Sequence, residues 1–357
     1  MLPPNPDIRL IRRNTRFDLR SVLWRESTFE RIRACGRRPI GSDVIIKVRE
    51  KVAHYAGLET CGSIWACPVC SGKIRNSRAL EISQGAGNWD HAGNSVWMVT
   101  FTAPHDMGMK LRDLLPVIAD SFRKVISGRP WLRIKARAGI VGTIRSMEVT
   151  HGENGWHPHL HVLVFVKGDP GAEALAAMTM HFREKWARAI TLAGFRKPHD
   201  VLGVDVGRCK SAAEAGAYIA KTQEGRAVGN EMSRADLKSG KGQGKTPFQL
   251  LREFRETGEA GKLELWHEYE KATRGHQCIT WSAGLRGLLE ISEEKTDEQL
   301  AAEEVGGEDL LVLPGDVWRA VTWIPGLPAY LLDVAELGGV DAVISALERF
   351  GVLTPTG

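Results

Sequence analysis

The sequence predicts an α+β fold, a largely antiparallel sheet with helices packed on it. Three observations carry that prediction. Ser95–Thr102, Ile140–Thr150 and Trp156–Val166 are apolar and rich in β-branched and aromatic residues, as strands are. The last two flank the turn-forming His151-Gly-Glu-Asn-Gly155, so they form a hairpin. Helical stretches follow, so the order runs β, β-hairpin, α, β, α. The composition is that of a globular chain: 357 residues, 43% apolar, 25% charged and 7% aromatic. It argues against a disordered chain, a collagen or a disulfide scaffold, and the length allows two or three units with real cores.

Four regions follow along the chain. Residues 1–90 are Arg-rich and hold four of the six cysteines. Residues 91–225 carry the strands and helices of the central sheet. There Ala172–Ala193 places Leu175, Met178, Phe182, Trp186 and Ile190 on one helical stripe. Val201–Val206 is a further short strand, and Ser211–Thr222 a helix. Residues 226–290 open with a Gly/Lys-rich loop and continue into a helical pattern. Residues 291–357 read as an acidic appendage behind a linker-like stretch at Ser292–Asp309. No apolar run reaches the ~18 residues a membrane helix needs. The first seven residues do not resemble a secretory signal, so the expected place is the cytoplasm, with no membrane partner.

The net charge of +5 conceals an asymmetry. Residues 285–357 carry 14 acids and 4 bases, whereas ten arginines face three acids between Ile8 and Arg38. Such a basic body suits a phosphate-rich partner, with the acidic end limiting non-specific binding or docking a host factor.

Trp156-His-Pro-His-Leu-His161 is the most informative segment. Residues two apart on a strand share a face, so His157, His159 and His161 stand side by side. His159 and His161 can reach one metal ion. Glu148, across the turn on the preceding strand, supplies a third ligand and leaves positions open for a phosphate oxygen and water, as a catalytic site requires. Histidine favours transition metals, while a carboxylate with phosphate admits magnesium.

In the helix after Val206, Glu214, Tyr218 and Lys221 lie on one face at i−4, i and i+3. A tyrosine is a weak nucleophile at its usual pKa of about 10, and a nearby cation, metal or base would help it attack phosphorus. Ser211-Ala-Ala-Glu214 also fits a capping box, which alone would account for the glutamate.

Cys61, Cys67 and Cys70 form a C-x5-C-x2-C set, and in a reducing compartment this spacing points to zinc. A structural site needs a fourth ligand. Cys35 is the first choice and His54 the rival. Lys73, Arg75 and Arg78 follow this module and are expected to grip duplex DNA. Cys209 and Cys278 read as buried thiols. Ser239–Thr246 nearly matches a P-loop, but serine replaces its first glycine and no strand precedes it. It reads instead as a basic loop whose Lys241 and Lys245 follow DNA phosphates.

In this order, Met98-Val-Thr-Phe-Thr102, His157-Pro-His-Leu-His161 and Tyr218-x-x-Lys221 resemble the three motifs of HUH-superfamily endonucleases. The set is most similar to the rolling-circle replication initiators of small plasmids and some phages. A single tyrosine with a glutamate four residues earlier resembles the small Gram-positive plasmid type. The resemblance runs from about residue 61 to 290, including Cys61–Cys70 and Leu265–Arg274. It implies an HUH-type sheet in which His159, His161 and Glu148 hold Mg²⁺ or Mn²⁺, with His157 in support. It implies that Tyr218 cuts one strand of origin DNA, leaving a 5′-phosphotyrosine and a free 3′-OH. Lys221 would orient the tyrosine or neutralise phosphate, and Glu214 would activate water at termination. Thr100 and Thr102 fall in the first motif, whose role is mainly structural. Expected partners are single- and double-stranded origin DNA, with a host helicase and polymerase, and a homodimer is compatible with the type. A transposase or relaxase shares the chemistry. A non-catalytic zinc DNA-binding regulator and a metallophosphohydrolase are the rivals from other classes.

Overall fold

The computed structural model describes residues 8–212, 214–216 and 244–353. These form two compact units, one drawn from residues 8–74 and 295–353, the other from residues 75–212, 214–216 and 244–294.

The first unit is built on a three-stranded sheet of order β2-β1-β8, from β1 (Asp43–Arg49), β2 (Val52–Ala56) and β8 (Glu308–Pro314). β1 alternates so that Val44 and Ile46 are fully buried. It meets β2 through Glu50 and Lys51, both in left-handed conformation, as a two-residue type I′ hairpin requires. β8 pairs antiparallel with the other edge of β1. Leu313, Trp318, Val321, Leu331, Leu332, Val343 and Leu347 pack with β1 into one core. The acidic segment is therefore not an appendage: it supplies a strand and much of this core. Its charges have specific partners. Glu336 pairs with Arg9 at 2.9 Å and Arg13 at 2.6 Å, Asp333 with Arg13 at 3.2 Å, and Asp309 with Lys47 at 2.6 Å. Glu336 and Asp333 thus pair with arginines of the N-terminal helix Ile8–Glu26, and Asp309 with a lysine of β1, all within this unit.

The second unit holds a five-stranded antiparallel sheet of order β6-β3-β5-β4-β7. Its strands are β3 (Ser95–Thr102), β4 (Ile140–Gly152), β5 (Gly155–Val166), β6 (Val204–Arg208) and β7 (Ile279–Trp281). The expected hairpin and first strand are present, the short strand expected at Val201–Val206 lies at Val204–Arg208, and helix Ala172–Leu192 ends one residue from its predicted limit. β7 comes from the region expected to be helical. Phe101 packs edge-on against Phe122 and Phe182 and beside Trp186, joining one face of the sheet to helices Leu111–Val125 and Ala172–Leu192. On the other face Val96, Ile144, Leu163 and Phe165 meet Ile82, Ala86 and Ala215. The strand period continues this second face through Thr100, Glu148, His159 and His161. β5 pairs with β4 on both sides of Pro158 but with β3 only from His159 onward, where a residue lacking an N–H no longer interrupts the ladder.

Candidate functional site

Register builds the site. Glu148 on β4 faces His159 on β5, and His161 faces Ser146 on one side and Thr100 on the other. Glu148 Oε2 lies 2.9 Å from His159 Nε2 and 3.1 Å from His161 Nε2. Cis ligands about 2.1 Å from an octahedral cation sit about 3.0 Å apart, so these spacings suit a divalent ion. Thr100 Oγ1 is 3.1 Å from His161 Nδ1 and fixes the ring so that Nε2 points to Glu148. Burial alone would push the Glu148 carboxyl up, but the hydrogen bonds and charges of His159 and His161 outweigh it and hold the group down at about 2. Glu148 is thus a carboxylate at neutral pH. The three side chains are 11–19% exposed, so solvent reaches the cluster. One carboxylate and two imidazoles fit a divalent metal, and the set does not by itself select which.

His157 shares the face but stands outside the group that can share one ion. Its ring stacks on His105 at 4.6 Å and 15°. Burial, with His159 and His105 nearby, pushes its pKa down to about 3, so it is neutral. Sequence reasoning missed His105. The only signal was its place in the loop just after β3.

In the first unit Cys35, Cys61, Cys67 and Cys70 bring four sulfurs within 4.8 Å of one another. The sulfurs lie 3.5 Å apart for Cys35–Cys70 and 3.7 Å apart for Cys35–Cys67 and for Cys61–Cys70. Ligands 2.3 Å from a tetrahedral zinc lie about 3.8 Å apart, so these edges fit that ion. Hydrogen bonding to Cys35, with burial, pushes the Cys61 and Cys67 thiols well up, so four thiolates need a cation to coexist. Cys35 is the fourth member, and His54 is not among the ligating group. Gly36 and Gly62 follow two of the ligands with positive φ; a Cβ at Gly36 would run into the Arg20 guanidinium. Arg20, buried and stacked over Phe17 at 4.2 Å, brings positive charge beside the sulfurs.

Residues 55–192 match the family described as Replication protein. "Protein rep" of Streptomyces lividans is 33% identical over 350 residues, covering 80% of this chain and 77% of that protein. The chain belongs to the replication protein family. The "Neomycin resistance protein" of Streptomyces cyanogenus is 30% identical over 309 residues, covering 66% and 70%. "Protein rep" of Streptococcus pneumoniae serotype 2 is 27% identical over 154 residues, covering 40% and 43%. No solved structure matches the chain. The span matched by the replication protein family holds Glu148, the three histidines and three of the four clustered cysteines.

Of the remaining predicted residues, Glu214 is half-buried at the start of a helix whose Ala215 packs on the same sheet face as the triad. Its Oε2 accepts the Lys210 N–H at 2.5 Å, and its own N–H donates to Ser211 Oγ at 3.1 Å, close to the expected capping box. Tyr218, Lys221 and Lys241 lie outside the described residues. The DNA-gripping role expected of Lys73, Arg75 and Arg78 does not fit their positions. Arg75 and Arg78 are 2% and 4% exposed. Arg75 donates to Cys278 Sγ at 3.1 Å, and Arg78 pairs with Glu81 and Glu294. Lys73 donates to the backbone carbonyls of Ala301 and Glu303. Helix packing has turned these cations inward. Lys245 is exposed but pairs with Glu253 at 2.5 Å, and its backbone bridges to His151. Thr246 caps helix Pro247–Thr257 through a capping box with Gln249, which accounts for the hydroxyl of the near-P-loop segment. Cys278 is buried as expected; Cys209 is half-buried. Among the described residues no helix is long and apolar enough to cross a membrane.

Proposed function

We propose that this replication protein initiates rolling-circle replication by nicking one strand of origin DNA through Tyr218. The observation that carries the reading is the convergence of Glu148, His159 and His161 on one point of a sheet face, in a chain of this family. Ala215, three residues before Tyr218 in the sequence, packs on that same face. Glu148, His159 and His161 would hold a divalent ion, Mg²⁺ or Mn²⁺, which when bound polarises the scissile phosphate. Thr100 keeps the His161 ring oriented, and neutral His157 fills the space beside the ligands.

The Tyr218 oxygen forms a bond to phosphorus in line with the departing 3′-oxygen. The phenolic proton is lost and the leaving oxygen gains one, giving a 5′-phosphotyrosine and a 3′-OH. Because one phosphodiester replaces another, the 3′-OH can later reverse the step and rejoin the strand. Lys221 neutralises phosphate charge or orients the tyrosine. Glu214 takes a proton from water at termination, when its cap to Lys210 opens. A host helicase and polymerase extend the 3′-OH, and zinc at Cys35, Cys61, Cys67 and Cys70 stabilises the first unit.

The test mixes the protein with Mn²⁺ or Mg²⁺ and single-stranded DNA from its own replicon, labelled on the 3′ side of the nick, on denaturing gels. A labelled band shifted by the protein is expected, and lost in Tyr218→Phe and in His159→Ala/His161→Ala. Cleavage without a shifted band would identify a hydrolase. Binding without cleavage would identify a DNA-binding regulator.

A further inference from the structure

The first unit carries a cavity of about 720 Å³ for which neither metal cluster accounts. Its walls come from helix Glu30–Ala34, the loop that leads to β1, and helix Gly315–Trp323. Arg33, Arg37, Arg38 and Arg319 line it, against Glu30 and Asp316. Arg33 and Arg38 both pair with Glu30, so two guanidiniums share one carboxylate. Arg37 and Arg319 make no ion pair among the described residues. The cavity therefore holds uncompensated positive charge in donors shaped for phosphate.

Trp323 stands on the same wall and is 73% exposed, the most exposed aromatic side chain among the described residues. The contrast with Trp318, five residues earlier on the same helix, is informative. Trp318 is fully buried, and its indole N–H donates to the Arg37 carbonyl at 3.0 Å. Five residues turn a helix by roughly 140°, so the helix places one indole in the core and the other at the cavity. Hydrophobic burial would favour hiding both rings. An open indole beside free guanidiniums is a stacking platform beside phosphate donors, the pairing that proteins use on unpaired nucleic-acid strands.

We propose that this cavity binds single-stranded DNA, with phosphates on the four arginines and a base stacked on Trp323. A duplex supplies phosphates but keeps its base faces covered, and an acidic peptide lacks the planar group that the indole offers. The site belongs to the first unit, whereas the triad belongs to the second. The proposal takes DNA as the strand from the family, and it does not use the cleavage chemistry.

The test uses the full chain carrying Tyr218→Phe, so that no strand is cut. A thymidine oligonucleotide containing 5-iodouracil is bound and irradiated, and the adducts are mapped by mass spectrometry. Adducts on the tryptic peptide from Ala320 to Arg349 are expected, and their loss in Trp323→Ala. Anisotropy titrations should show Trp323→Ala binding roughly ten-fold more weakly, with Trp323→Phe retaining most of the affinity. Arg37→Ala/Arg319→Ala should reduce the salt slope by about 1.4, the value for two lost single-strand phosphate contacts. Far-UV circular dichroism checks that each variant is folded. Adducts confined to peptides of the second unit, or an unchanged affinity and slope, would overturn the proposal. A loss confined to duplex DNA would overturn it equally. Because the readout is binding, failure of the nicking assay would leave it standing.

Discussion

The sulfur cluster and the carboxylate–histidine cluster differ in access before they differ in chemistry. Cys35, Cys61, Cys67 and Cys70 are each 3% exposed or less, with positive-φ glycines turning the chain around two of them. A metal there has four protein ligands and no way out, so its binding energy goes into folding. Glu148, His159 and His161 supply three ligands on the rim of a sheet and remain open to solvent. A metal there keeps positions for something else. Soft, closed and buried goes with structure; mixed, open and supported by Thr100 goes with chemistry.

The largest effect that would break this contrast is expected at the sulfurs. Cys67→Ser or Cys70→Ser should unfold the first unit, because structural zinc in small domains contributes about 10–16 kcal/mol, as much as a whole domain's stability. Zinc content by atomic absorption should fall from one per chain toward none, with loss of near-ultraviolet dichroism. A variant that keeps its melting temperature without metal would show that the cluster is four packed thiols.

The triad should respond the other way. His159→Ala/His161→Ala should lower cleavage by about 10³-fold, the several kcal/mol expected of a lost Lewis acid. Zinc content and far-ultraviolet dichroism should stay unchanged. Mild chelation should reproduce the loss in the parent protein, with recovery on adding Mn²⁺ or Mg²⁺ while the sulfur-bound zinc stays in place. If the double variant still cuts at the parent rate, the triad is a hydrogen-bonded cluster only.

A third outcome separates stability from chemistry. Glu336 is nearly buried and holds Arg9, Arg13 and the Ala53 N–H together. Glu336→Ala leaves Arg13 paired with Asp333 at 3.2 Å and removes the acceptor of the Ala53 N–H, and should cost about 1–3 kcal/mol in urea unfolding. The metal requirement for cleavage should not move; if it does, the two units are not energetically separate.

The second unit could be read from sequence because its signals are local. The period-two runs of Ser95–Thr102 and Trp156–Val166 state both the strands and the shared face of the histidines. The two-residue spacing and the hairpin place Glu148 within reach from the sequence alone. The first unit was hidden because its sheet is not local. β1 finds its partner in Glu308–Pro314, across most of the chain, where Asp309 pairs with Lys47, and Asp333 and Glu336 further on pair with Arg9 and Arg13. Charge counted by region therefore looked like a basic body with an acidic tail. Arg75 and Arg78 misled for a related reason: their place in a basic run does not reveal which helix face is buried. Gly36 and Gly62, each directly after a ligand cysteine, were a readable sign of the sulfur turns.

The smallest predicted effect tests how far the open site depends on its support. The Thr100 hydroxyl lies within hydrogen-bond reach of His161 Nδ1, at 3.1 Å. Thr100→Val keeps the strand's shape and β-branching but removes that bond, which weakens the hold on the ring and the aim of Nε2 at Glu148. Partners of this kind are worth about 10–100-fold in metal affinity, and an exposed rim suggests the lower end, near ten-fold. The Mn²⁺ concentration for half-maximal cleavage should rise by that factor, while the rate at saturating metal recovers most of the parent value. Thr100→Ser, which restores the hydroxyl, should bring the curve back. Coincident curves for valine and threonine would mean that β-sheet register alone, through the Thr100–His161 and Ser146–His161 pairings, holds the imidazole in place.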